Sequence, residues 1–95
     1  MNIKQLHTDH KGVSAVSLFK SETAVVSAIQ LLPNETLKEH ITKVPALLLC
    51  IEGQVIFENE NGLKETLNSG EYILIEPFIK HKLIAEQLSQ LVLVK

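Results

Sequence analysis

A chain of 95 residues with a formal charge of −2, 45% apolar residues, only 4% aromatics and no Trp reads as one domain with an aliphatic core. A chain of that size hides roughly two-thirds of the surface its unfolded form exposes, so a partner subunit would help. Its lysines are scattered among apolar and acidic residues, which argues against a nucleic-acid partner. Cys50 stands alone, which excludes a disulfide framework and a zinc site of thiolates. No apolar run approaches the ~20 residues needed to span a bilayer, and the N-terminal MNIKQLHTDHKG is neither signal- nor transit-like, so a cytoplasmic protein with no membrane partner is expected.

In chain order, residues 1–12 are a polar lead-in whose His7 and His10 read as solvent-exposed. Val13 to Phe19 alternates apolar and small polar residues, the period of a half-buried strand. Thr23 to Leu32 is a β-branched run that stops at Pro33-Asn34, a turn pair because Asn tolerates the left-handed region. Thr36 to Thr42 alternates loosely, with Leu37, Glu39 and Ile41 on one face and Lys38, His40 and Thr42 on the other. After Pro45, the run ALLLCI is apolar on both faces, so one face looks into the domain and the other against a second layer or subunit.

Gly53 can supply the positive φ of a two-residue hairpin loop before the strand of Val55 to Phe57. Asn61-Gly62 is the strongest hairpin signal, and Leu63 to Leu67, Glu71 to Ile75, His81 to Ala85 and Leu91 to Val94 complete eight or nine short strands. No segment has a helical period. Short strands at regular spacing with turn signals predict an antiparallel sandwich or closed roll, as one unit with a core over about 13–95.

Two stretches line up. His40 lies thirteen residues before Gly53, and the second stretch runs Gly70-Glu-Tyr-Ile-Leu-Ile-Glu-Pro-Phe-Ile-Lys-His81. Together they resemble the cupin superfamily, small RmlC-like β-barrels of jelly-roll type with the motifs G-x5-H-x-H-x(3,4)-E-x6-G and G-x5-P-x-G-x2-H-x3-N. Aligned on Gly53, Asn34 takes the place of the opening glycine, His40 of the first histidine, Thr42 of the second and Ala46 of the glutamate. Aligned on Gly70, Glu76 falls at the proline with Pro77 one step later, Phe78 at the second glycine, His81 at the histidine and Ala85 at the asparagine. The resemblance spans Asn34 to Ala85 and implies a single all-β domain, an antiparallel jelly roll or double-stranded β-helix barrel.

Metal-binding cupins use three histidines and a glutamate. This chain keeps His40 and His81 and carries Thr42 and Ala46 in the other two places, so the family's four-ligand set is excluded. The expectation is a divalent metal (Zn, Ni, Fe or Mn) held weakly by His40 and His81, because catalytic metal sites usually have three protein ligands. If His40 and Thr42 face inward, alternation puts Ala46, Leu48 and Cys50 on the inward face of the next strand and Leu47, Leu49 and Ile51 outside, with Leu83 and Ala85 sharing the face of His81.

The expected ligand pocket is therefore His40, Thr42, Ala46, Leu48, Cys50, Phe78, His81 and Leu83, mostly apolar with a few polar groups. Cys50 reads either as a soft ligand or as a small buried hydrophobe, and Glu76 either orients His81 or faces water. Three functions stay open. They are a small-molecule binder with a loosely held metal, a metal-dependent enzyme of oxygenase or isomerase type, and an interaction module. The outward stripe Leu47, Leu49 and Ile51 predicts a twofold homodimer compatible with the first two.

Overall fold

The alternation that begins at Val13 becomes nine strands, β1 (Val13–Lys20), β2 (Val25–Leu31), β3 (Thr36–His40), β4 (Ala46–Glu52), β5 (Gln54–Asn59), β6 (Lys64–Asn68), β7 (Tyr72–Ile75), β8 (His81–Ala85) and β9 (Ser89–Val94). The computed structural model describes residues 1–95 and holds no α-helix, only a short 3-10 turn at Ile3–Leu6. The strands form a five-stranded sheet in the order β1-β2-β9-β4-β7 and a four-stranded sheet in the order β3-β8-β5-β6, with all pairings antiparallel. Between the sheets lies one aliphatic core around Leu31, Leu48, Cys50, Val55, Phe57 and Leu91.

Inward and outward faces follow period-2 alternation where the ladder is regular. Ala46, Leu48 and Cys50 are buried while Leu47 and Leu49 are half-buried and Ile51 is exposed; on β8, His81, Leu83 and Ala85 are buried. In β3 the alternation breaks. Leu37 stands opposite Leu83 and His40 opposite His81, three steps on one strand against two on the other, so a bulge inserts one residue. Leu37, expected on the face away from His40, therefore packs against the same core that His40 faces.

A second expectation fails at Glu52-Gly53. β4 pairs with β7 and β9 and β5 with β6 and β8, so this link is a corner between the two sheets and not a hairpin. Gly53 has φ +99°, and a Cβ there would collide with Ser89 Oγ and the Leu88 carbonyl, so both the backbone angle and the space demand glycine. Consecutive strands do form hairpins at β1–β2 and at β5–β6, where Gly62 has φ +89° and Asn59 Oδ1 accepts from the amides of Asn61 (2.9 Å) and Leu63 (3.1 Å).

The lead-in is ordered against the barrel. Lys4 Nζ lies 2.7 Å from Glu52 Oε2, and His7 Nδ1 lies 2.7 Å from Ser14 Oγ, so the segment straps the outer side of the five-stranded sheet from β4 to β1. His7 is thus buried, not a free tail histidine, and burial pushes its pKa down. Beyond the strap, two cross-strand rows on the same outer face, Val16-Ala28-Val92-Leu49-Tyr72 and Val26-Val94-Leu47-Leu74, carry no charge. No helix is long and apolar enough to cross a membrane.

Candidate functional site at the open end of the barrel

One end of the barrel is ringed by the hairpin before Val25, the loops 41–45 and 76–80, the β5–β6 turn and the end of β9. There His40, on the edge strand β3, and His81, on β8 with neighbours on both sides, sit directly opposite each other in the ladder. Their ring centroids are 4.2 Å apart at 62°, and His81 also stacks on Phe57 at 5.5 Å and 23°. His81 is 2% exposed and His40 is half-buried.

Both histidines use the same local device. Nδ1 of His40 lies 3.0 Å from the Lys38 carbonyl, and Nδ1 of His81 lies 3.1 Å from the Ile79 carbonyl. A carbonyl oxygen can only accept, so each Nδ1 must carry the proton and each neutral ring keeps its lone pair on Nε2. The two Nε2 atoms are 3.1 Å apart. Two lone pairs at that separation repel unless something positive lies between them, a repulsion that one shared proton or a metal ion would relieve. Burial lowers the pKa of His81; the bond to Ile79 opposes this, while the charges of His40 and Lys95 add to the depression, so that ring is uncharged at neutral pH and its Nε2 free to accept.

As a donor set for a metal, the pair fits in part. Two nitrogens ligating one ion at about 2.0–2.1 Å and ordinary angles stand about 3 Å from each other, and pinned Nδ1–H groups are the usual way to orient such rings. No third His, Cys, Asp or Glu joins them in a group able to hold a metal. Thr42, in place of a histidine, is 2% exposed with an Oγ1 that has no hydrogen-bond partner, and Ala46, in place of the glutamate, is part of the core. Cys50 sits at the opposite end of β4, its Sγ donating to the Glu52 and Gly53 carbonyls at 3.7 and 3.8 Å. Burial pushes its thiol up, so it offers no thiolate to the histidines.

The other expected pocket residues separate into two groups. Ala46, Leu48, Cys50 and Leu83 are packed into the core and line no cleft, because aliphatic side chains from both sheets fill the middle of this small barrel. Phe78 is 64% exposed on the loop over the open end, in the left-handed region at φ +64°, with its amide donating to the Thr42 carbonyl at 2.8 Å. Beside His81 a cleft of about 50 Å³, bounded by Phe57, Asn59, Leu74, Glu76 and Ile79, has room for an ion or a few waters. Glu76 borders that cleft, but the Ile79 carbonyl, not Glu76, orients the ring. Phe57 and the two carbonyls could not be read as site components from the sequence, since backbone groups carry no sequence signal and Phe57 reads as core.

A roll of two antiparallel sheets, with paired histidines on adjacent strands at one end, is the class of protein so defined. The comparisons narrow it to the cupin fold. A cupin superfamily protein from Desulfitobacterium hafniense DCB-2 superposes with a TM-score of 0.86 at 13% identity, over 98% of this chain and 84% of that one. An RmlC-like cupin from Shewanella frigidimarina gives 0.80 at 14% identity over 87% and 74%, and KdgF from Halomonas sp. gives 0.80 at 14% over 90% and 81%. No family model matches the chain, and no curated protein matches it. At these identities the likeness establishes the fold.

Proposed function

We propose that this chain binds a small molecule at the open end of its barrel, beside a His40–His81 pair that holds one cation between its Nε2 atoms, either a shared proton or a weakly bound divalent metal. The observation that supports this is the pair of facing Nε2 atoms, each left as an acceptor by an Nδ1–H bond to a carbonyl. A bound Zn, Ni, Fe or Mn ion would supply Lewis acidity and open coordination positions for a ligand oxygen. The protein's own part is to fix both rings, to shield His81 with Phe57 and to keep His81 uncharged.

Elemental analysis of freshly purified, untagged protein, followed by calorimetric titration with Zn²⁺, tests the reading. Substoichiometric metal on purification and a single weak site that disappears in both His40→Ala and His81→Ala are expected. No heat from Zn²⁺, with both variants altering stability only, would refute it. A metal-dependent enzyme of oxygenase or isomerase type would need a third ligand and near-stoichiometric metal, and the donor set favours the binding reading. The same proposal includes a homodimer through the uncharged outer rows around Leu47, Leu49 and Ile51, where Tyr72 and Leu74 are 62% and 70% exposed. Light scattering at micromolar concentration is expected to give twice the chain mass, and a monomer would contradict it.

A further inference from the structure

Lysines that are scattered in the sequence come together at the open end. The turn between β1 and β2, the loop after β3 and the end of β9 surround an open cleft of about 480 Å³, within the size range of small-molecule sites. Lys20, Lys43 and Lys95 line it, and Glu22 is the one acidic residue among them. None of these lysines is engaged in an ion pair, whereas Lys4, Lys11 and Lys82 each have a carboxylate partner. In a chain of net charge −2 this is a local reversal of sign.

Thr42 also lines the cleft, and it is the second, independent observation. Its side chain is buried, yet Oγ1 has no partner. An unpartnered buried hydroxyl is a cost that a ligand bonding it would relieve, and of the three unpartnered buried polar atoms, which include His7 Nε2 and Gln90 Oε1, only Thr42 Oγ1 belongs to a residue lining this cleft. Ser21 Oγ, by contrast, is occupied by the amides of Thr23 and Ala24.

We infer that this cleft is a binding site for an oxyanion, a carboxylate or phosphate group carried by a small molecule, held by the ammonium groups of Lys20, Lys43 and Lys95 and by the Thr42 hydroxyl. Thr42 follows His40 by two residues, and its carbonyl accepts from the amide of Phe78, three residues before His81. The anionic end of a ligand in this cleft therefore lies at the same mouth as the imidazole pair. The inference names a ligand class for that mouth and rests on the reading above only for what the ligand's other end meets.

The test is an amide ¹H–¹⁵N NMR titration of the metal-free protein in EDTA with inorganic phosphate in one arm and acetate in the other, at constant ionic strength set by chloride. Saturable shifts of Thr23, Thr42, Lys43 and Lys95 in either arm are expected, and the tighter arm names the group. The Lys20→Ala/Lys43→Ala double variant should weaken that binding by about tenfold, and Thr42→Val by about threefold with the spectrum otherwise retained. Linear shifts in both arms, or saturable shifts unchanged in the double variant, would overturn the inference. A separate Zn²⁺ titration keeps the two proposals apart. Lost anion binding with metal still held at His40 and His81 removes only the anion site, while anion binding without metal binding removes only the cation pair.

Discussion

The two ends of this barrel are built differently. At the closed end, the β4–β5 corner is tightly bonded, although Gln90 Oε1 beside it and His7 Nε2 on the strap are buried without partners. Ser89 Oγ accepts from the Gln54 amide at 3.1 Å and lies within hydrogen-bond reach of the Gln54 and Gln87 carbonyls, Cys50 Sγ bonds the corner carbonyls, and Gly53 fits where no Cβ could. At the open end, Thr42 Oγ1 is bare, Phe78 is exposed in the left-handed region, two imidazole lone pairs face each other and three lysines lack partners. Unpartnered buried atoms and left-handed residues occur at both ends, so what sets the open end apart is the facing imidazole pair and the unpaired lysines, and the proposed ligand sites rest on those.

That contrast can be broken most severely at Gly53. Gly53→Ala should destabilise the chain by about 3 kcal/mol or more, because it meets both a left-handed backbone and a backbone clash. The thermal midpoint should fall by more than about 10 °C, with Zn²⁺ binding of the folded fraction unchanged. Next is Ser89→Ala, which leaves the buried Gln54 amide without its acceptor and should cost about 2 kcal/mol in a urea melt.

Acid should act at both ends through one buried histidine each, His81 at the open end and His7 on the strap at the closed end. His81 and His7 both have pKa values depressed mainly by burial, so the folded state binds fewer protons than the unfolded chain below the ordinary histidine value of about 6.5. The stability they contribute is complete above that pH and is lost as pH falls through their folded values. Urea midpoints at pH 7.5 and pH 5.5 should show this loss, and His7→Gln should lessen it. The smallest expected effect has the opposite sign. Thr42→Val removes an unpartnered hydroxyl without changing shape and should stabilise the chain by about 1 kcal/mol, as a higher urea midpoint.

The sequence made the strands legible because period-2 alternation survives wherever the ladder is regular, as at Ala46 to Ile51 and His81 to Ala85. It misled at Leu37, where a bulge shifts the face, and at Gly53, where a positive φ fits a corner as well as a hairpin and only pairing partners tell the two apart. Spacing against the cupin motifs singled out the two histidines that the fold brings together. It could not show that the expected pocket behind them is filled by Leu48, Cys50 and Leu83, since inward-facing aliphatic residues read alike whether they line a cavity or close it. The lysine cleft was invisible because Lys20, Lys43 and Lys95 meet only through tertiary structure.

The most direct test of the central claim is imidazole ¹⁵N NMR of the metal-free protein titrated with Zn²⁺. The account predicts that His40 and His81 both keep Nδ1–H throughout and that both Nε2 resonances move together to a common end point. Movement of one ring alone, or either ring found with its proton on Nε2 and a bare Nδ1, would contradict it.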